Sequence, residues 1–182
     1  MNCSKSHTVE IKPWLGITFG GGTSFVDFDR AAGTPSIVFG ASGMLLGEIV
    51  GVEADFGHGP SFFQSGDQHL VVDSSVTTLT GNFVVALPRH LTQYTLRPYV
   101  VGGAGLMHAS IAPSLSVLPI SSTLPAFDFG GGVTGFLSSR IGLSWELRSF
   151  RSFGGRDEHR AISVGPEQLS FWRLNMALAI RY

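Results

Sequence analysis

Hydrophobic and polar residues alternate along most of this chain, a pattern typical of β-strands with one apolar face. The last segment is the clearest case. Its apolar side comprises Trp172, Leu174, Met176, Leu178, Ile180 and Tyr182, and its other side comprises Arg173, Asn175, Ala177, Ala179 and Arg181. The same period of two occurs in Val9–Phe19, Ile49–Phe56, Thr78–Leu87, Phe127–Leu137 and Leu143–Arg148, and less cleanly in Ser36–Leu46 and Tyr94–Ser110. The pattern predicts eight strands of about 10–17 residues, longer than the usual 5–6 of a soluble sheet.

The connections between these strands alternate in length. Three are short, namely Gly47–Glu48, Pro88–Gln93 and Ser138–Arg140. Four are long, namely Gly20–Thr34, Gly59–Val72, Ile111–Pro125 and Gly154–Glu167. Outer-membrane barrels have short periplasmic turns and longer external loops. We therefore predict an all-β fold: an eight-stranded antiparallel up-and-down transmembrane β-barrel with both termini at the periplasmic end and four longer external loops.

The charged residues fall on the face opposite the apolar one. A soluble barrel turns its apolar face inward, whereas a membrane barrel turns it outward and lines its lumen with polar groups. In a narrow lumen these charges have to form ion pairs, since an unpaired buried charge costs several kcal/mol. We expect a plugged interior with an ion-pair network of Glu53, Asp55, Glu146, Arg148 and Arg173. Trp14 falls on the same face, and the pattern offers only packing or a bulge to explain it.

Composition supports a membrane barrel over other classes. Only 14% of the 182 residues are charged, against about 25% in soluble domains, and 24 glycines and 9 prolines argue against long helices. Pro98–Phe127 is uncharged but is interrupted by prolines, so a closed barrel is the only way this chain can cross a membrane. A net charge of −1 argues against a nucleic-acid partner, and the single Cys3 excludes a disulfide framework. We expect no cofactor and no metal ion.

The N-terminal residues 1–8 form a tail before a barrel domain at 9–182. This tail lacks the apolar run and cleavage site of a secretory signal, so a signal peptide is absent from this chain. Two explanations remain open at this point. Either the protein stays inside the cell, or its signal was removed.

Three segments resemble the small outer-membrane β-barrel superfamily of OmpA-, OmpX- and OmpW-type domains. They are LRPYVVGGAGL (Leu96–Leu106), FDFGGGVTGFLSSRIGLSWELRSF (Phe127–Phe150) and the terminal FWRLNMALAIRY (Phe171–Tyr182), which ends in an aromatic residue. The resemblance implies a bacterial outer membrane of the Gram-negative type and insertion by the barrel-assembly machinery. It also implies contact with outer-membrane lipids and lipopolysaccharide, and we expect a monomer. It implies no single activity, and without a peptidoglycan-binding domain no cell-wall anchoring is inferred.

Two aromatic residues on the outward face are expected at the membrane interfaces. Trp172 and Tyr182 are ten residues apart along the last segment. At about 2.7 Å of vertical rise per tilted residue, that separation matches the apolar band of about 25 Å in outer-membrane barrels. We therefore predict that the two side chains belong to opposite aromatic girdles.

Other motifs have simpler explanations than chemistry. His108-x-Ser110 resembles the His and Ser of lipid A deacylases, but Ile111 stands where those enzymes have asparagine, and the first acidic residue after Ser110 is Asp128. The pattern Gly130-x-Gly132-x-x-Gly135 is followed by a turn and a strand instead of the helix that a nucleotide site needs. His58 and His69 flank one loop without a metal-binding spacing, and solvated loop histidines are the default.

Three functions remain in consideration. We expect a non-enzymatic barrel with a structural or surface-interaction role through its loops and at most minor passage of small solutes. The alternatives are a lipid A deacylase-like enzyme and a soluble lipocalin-like barrel. A lipocalin-like barrel requires the apolar face to point inward.

Overall fold

The computed structural model describes residues 8–23, 35–60, 62, 71–88, 96–113, 120–153 and 169–182. These residues form a single closed sheet in which each strand pairs antiparallel with the next and the last pairs with the first. The strands are β1 (Thr8–Thr23), β2 (Ser36–Leu46), β3 (Val50–Pro60), β4 (Val71–Ala86), β5 (Leu96–Pro113), β6 (Ile120–Phe136), β7 (Ile141–Ser152) and β8 (Leu169–Arg181). The all-β, eight-stranded up-and-down barrel predicted from the sequence is confirmed. Within the described ranges, no helix is both long and apolar enough to cross a membrane.

The strand register sets the tilt of the barrel wall. Backbone partners can be followed once around it, from Val133 through Trp145, Met176, Leu15, Phe39, His58, Thr77 and His108 to Thr123. This path returns to β6 ten residues away from where it began. With strands about 4.8 Å apart and a rise of about 3.3 Å per residue, such a stagger tilts the strands by about 41°. Each residue therefore rises about 2.5 Å along the barrel axis.

Several connections between strands begin and end at residues other than those predicted from the sequence. β5 and β6 stay paired as far as Ile111 and Ile120, so six residues (114–119) separate them instead of the fifteen predicted. At the other end of the barrel, nine residues (87–95) separate β4 from β5, so the lengths alternate less regularly than the sequence indicates. Between β5 and β6 the reason is that backbone pairing continues beyond the apolar band, where serine and threonine side chains give no polarity signal. The predicted N-terminal tail lies outside the described residues except for Thr8, which begins β1.

The two faces of the wall have opposite polarity. Large apolar side chains cover the outside of every strand, among them Leu15, Phe39, Val52, Phe83, Leu106, Phe129, Trp145 and Leu174. Buried polar and charged side chains line the inside, among them Ser42, Thr78, Thr80, Asn82, Thr134, Ser144 and Asn175. This is the polarity of a membrane barrel, and it is the reverse of what a lipocalin-like barrel requires.

The interior is layered along the barrel axis. At the end that carries the connections between β1 and β2, β3 and β4, β5 and β6, and β7 and β8 (the loop end), an apolar layer fills the lumen. It consists of Phe62, Val76, Met107, Ala109, Ala126, Phe150, Leu169 and Phe171. A second apolar cluster lies towards the opposite end (the turn end), with Met44, Leu46, Val84, Ala86, Tyr99 and Val101. The charged residues lie between and beside these clusters.

Candidate functional site

The lumen holds equal numbers of inward-facing cations and anions among the described side chains. The cations are Lys12, Arg97, Arg148, Arg173 and Arg181, and the anions are Glu10, Glu53, Asp55, Asp128 and Glu146. All are buried except Arg181, which is partly exposed near the turn end. Formal neutrality limits the cost of placing these charges inside a membrane-spanning wall, because each can find a partner.

Arg148 is the centre of the network. Its Nη2 lies 2.6 Å from Glu53 Oε1 on the facing wall, and its Nη1 lies 3.1 Å from Asp128 Oδ2 on β6. Its Nε and Nη2 also donate to the two carboxylate oxygens of Glu146, two positions earlier on β7. On the neighbouring strand β6, Gly130 pairs with Arg148 and leaves room for its side chain, since a Cβ at Gly130 would lie 2.8 Å from that side chain. One guanidinium therefore bonds to carboxylates from three strands.

Arg173 is the second centre of the ion-pair network, and its contacts explain why Trp14 faces the lumen. Its Nη2 donates to Asp55 Oδ2 at 2.8 Å and lies 3.9 Å from Glu146, which links it to the Arg148 group. Its guanidinium lies 4.1 Å from the Trp14 ring centroid and 4.8 Å from that of Phe150. The Trp14 indole nitrogen donates to the other oxygen of Asp55 at 3.1 Å. Trp14 thus does more than fill space in the lumen, because it donates a hydrogen bond to Asp55 and makes a cation–π contact with Arg173.

The five residues selected from the sequence all lie in this one connected network. Sequence reasoning missed further members of the network, among them Asp128, Tyr99 and Asn82. Asp128 pairs with Arg148, the Tyr99 hydroxyl donates to Glu146 at 2.7 Å, and the Asn82 amide, suitably oriented, donates to Asp128 and accepts from Arg148 at 2.8 Å each. Asp128 had a usable signal, because it alternates with Phe127 and Phe129 and so shares the lumen face.

A smaller charged group lies near the turn end. Arg181 pairs with Glu10 at 3.0 Å, and Lys12 lies 3.5 Å from the other oxygen of the same carboxylate. Arg97 donates to the carbonyl oxygens of Glu48 at 2.6 Å and Leu87 at 3.1 Å. These contacts tie two turn-end connections and both terminal strands to the lumen.

The predicted interface aromatics occupy opposite ends of the outward face of β8. Trp172 is 40% exposed and pairs with Phe19 and Ser149, whereas Tyr182 is 77% exposed and its amide donates to the carbonyl of Val9. Ten residues at about 2.5 Å of axial rise separate them by about 25 Å, the height of the apolar band in such barrels. Their role as girdle residues stays a prediction.

The motifs that suggested chemistry do not assemble a reactive site in the described structure. His108 and Ser110 lie on the outward side of β5, and His108 Nδ1 bonds to Thr123 Oγ1 at 2.8 Å instead of to a carboxylate. Gly130, Gly132 and Gly135 lie within strand β6. His58 bonds to Thr77, and its suggested metal partner His69 lies outside the described residues. Among the side chains described, no three histidine, cysteine or acidic groups are placed to hold a metal ion.

No family model matches the sequence, and no curated protein matches it either. Solved structures of similar shape are found. Neisserial surface protein A has 12% identity and a TM-score of 0.64, over 94% of this chain and 96% of its own. OprG of Pseudomonas aeruginosa has 11% identity and a TM-score of 0.64, over 98% and 97%.

The attachment invasion locus protein Ail of Yersinia pestis gives a further match. It has 12% identity and a TM-score of 0.54, over 96% of this chain and 99% of its own. Identities this low carry information on the fold alone. Together with the closed sheet and its outward apolar face, they show that this chain has the fold of the small eight-stranded outer-membrane β-barrels.

Proposed function

We propose that this protein is a non-enzymatic barrel of the bacterial outer membrane whose lumen stabilises the fold and whose loop end makes surface contacts. The observation that carries the proposal is the polarity of the wall. An apolar band faces outward on all eight strands, while ten charged side chains of the described residues face inward. In water this arrangement would expose a continuous apolar surface, whereas in a membrane both faces are satisfied.

The interior supports a structural lumen with at most minor passage of solutes. The loop-end apolar layer and the Arg148 network both lie across the path of a solute. A cavity of about 10 Å³ beside Arg173, bounded by Thr18 and Thr78, has room for one water-sized molecule. Passage along the axis would require breaking several buried ion pairs at once.

The length of the connections at the loop end supports a role in surface contact. At the loop end, 10 to 16 residues separate the strands in three of the four connections: 24–35, 61–70 and 153–168. The last of these contains the most polar run, Arg156–Arg160. The similar protein Ail is called an attachment invasion locus protein and was crystallised with a heparin analogue. By the same proposal, the partners of this chain include outer-membrane lipids, lipopolysaccharide and, through its C-terminal strand, the barrel-assembly machinery.

The first experiment compares the gel mobility of boiled and unboiled protein after refolding in detergent. A folded membrane barrel resists SDS until heated, so we expect two mobilities, together with β-type circular dichroism only when detergent or lipid is present. Planar-bilayer recordings on the same sample are expected to show little or no conductance. A protein that is folded and soluble without detergent would contradict the proposal.

A separate assay tests the absence of enzymatic activity. The refolded protein is incubated with lipid A, and released fatty acid is measured for the wild type and for Ser110→Ala. We expect no release from either. Release by the wild type that Ser110→Ala abolishes would establish a deacylase instead.

A further inference from the structure

The outward face changes character where the strands leave the apolar band at the loop end. His58 follows the exposed Phe56 on β3, and His108 follows the exposed Leu106 on β5. Arg151 occupies the corresponding exposed position on β7 and pairs with Ser170 on β8. We call His58, His108 and Arg151 the loop-end rim.

The barrel register places these three residues at similar heights. With the tilt given above, they lie about 16–22 Å above Val133 along the axis, and Trp172 lies about 16 Å above it. Tyr182, at the other border of the apolar band, lies about 9 Å below the same reference. The rim therefore begins where the hydrocarbon is expected to end and the headgroups begin.

The rim residues are arranged to present hydrogen-bond donors to the surroundings. His58 Nδ1 lies 2.9 Å from Thr77 Oγ1, and His108 Nδ1 lies 2.8 Å from Thr123 Oγ1, so both rings are held by neighbouring strands. When the threonine hydroxyl donates to Nδ1, the hydrogen of a neutral imidazole is on Nε2. Arg151 contributes a guanidinium, the group best shaped for phosphate oxygens. The three residues lie on alternate strands, β3, β5 and β7, and so are spaced around half of the wall.

At the opposite end of the wall, the described strand residues form no such rim. Outward-facing strand residues there are apolar or uncharged, as at Val9, Leu96, Ile141 and Tyr182. The exposed charges described at that end, Glu48 and Arg140, lie in the turns. In addition, no carboxylate among the described side chains points outward from a strand. Among the strand residues that the structure describes, the charged and histidine side chains on the outward face thus lie at the loop end.

We propose that the loop-end rim binds phosphate groups of lipid headgroups in the leaflet that faces the loops. The proposal rests on the proposed function, since it requires the barrel to span a membrane. Charge complementarity selects the ligand: a cationic or donor group at headgroup height attracts phosphate, and an apolar rim does not. The asymmetry between the two ends also assigns the phosphate-rich leaflet to the loop end.

The test measures which lipids stay with the barrel. Protein is inserted into phosphatidylcholine nanodiscs that contain equal amounts of diphosphoryl lipid A and its fully dephosphorylated form. The lipids that co-purify after mild detergent extraction are quantified by mass spectrometry. We expect the wild type to retain the phosphorylated form about tenfold over the other, and His58→Phe/His108→Phe/Arg151→Leu to lose that preference. Phenylalanine keeps an aromatic ring at each histidine position.

Arg140→Leu is the matched control because it removes one exposed arginine from the turn end. It is expected to keep the preference, and a loss equal to that of the rim variant would overturn the proposal by showing a general charge effect. Absence of preference in an inserted wild type would overturn the rim alone. Failure of the wild type to insert would contradict the proposed function as well. Boiled and unboiled mobility reports whether each variant is folded, and Arg151→Leu alone replaces the triple variant if that one does not fold.

Discussion

Replacement of Arg148 by methionine is expected to destabilise the barrel by about 3–5 kcal/mol, the usual cost of removing one partner from a buried ion pair. The methionine fills a similar volume, so the loss is electrostatic. Glu53, Asp128 and Glu146 all bond to this guanidinium, and none is exposed. After the substitution these carboxylates lose the cation that they share.

The opposite substitution, Glu53→Gln, is expected to cost about 1 kcal/mol or less. The central network has two guanidiniums, on Arg148 and Arg173, facing four carboxylates, on Glu53, Asp55, Asp128 and Glu146. Removing a cation increases this excess of negative charge, whereas removing an acid reduces it. Furthermore, Glu53 Oε2 has no hydrogen-bond partner among the described residues, so replacing this oxygen by the glutamine amide nitrogen loses no hydrogen bond there.

The assay is urea unfolding of the barrel in lipid vesicles, followed by tryptophan fluorescence and by the mobility of unboiled samples. Arg140→Met is the matched control, because it removes an exposed arginine from the turn between β6 and β7. We expect it to change the free energy of unfolding by less than about 0.5 kcal/mol. A cost below about 1 kcal/mol for Arg148→Met, or an equal cost for Glu53→Gln, would refute the network as described.

Two further pairs of substitutions test packing and lipid exposure by the same unfolding assay. Gly103→Ala places a Cβ against the Gly81 carbonyl oxygen and the Asn82 side chain, so we expect a loss of about 1–3 kcal/mol, whereas Gly81→Ala has open space and is expected to be neutral. Equal effects would mean that β4 and β5 are not in the described register. Phe83→Arg, at mid-height on the outward face, should cost about 2–4 kcal/mol, and Leu137→Arg at the turn end about 0–1. A similar cost at both positions would argue against a membrane around this wall.

Much of this fold could be predicted from the sequence because the signal is local and repeated. In a strand, neighbouring side chains point to opposite faces, so Arg173 between Trp172 and Leu174 already has its side of the wall assigned. The same reasoning placed Glu53 and Glu146 in the lumen. The strand ends were harder to predict, as at Ser121, because pairing continues there among polar residues on both faces.

The partners within the lumen could not be predicted. Glu53 and Arg148 are 95 positions apart, and they meet because the wall closes with a stagger of ten residues, which brings them close enough in height for their long side chains to bond across the lumen. Asp128 faces the same lumen by parity, yet only this register places it next to Arg148. The sequence offered only packing or a bulge to explain Trp14, because its indole bonds to Asp55, 41 positions away along the chain.

The period of two within each strand is therefore enough to tell which of its faces meets lipid and which meets the lumen. The tertiary structure decided which charges neutralise one another, how the interior divides into layers, and where the outward donors His58, His108 and Arg151 lie relative to the apolar band. These depend on strand tilt and register. Strand tilt and register are both fixed when the eight strands close into a barrel. Closure depends on all eight strands together, so the sequence of one strand does not reveal it.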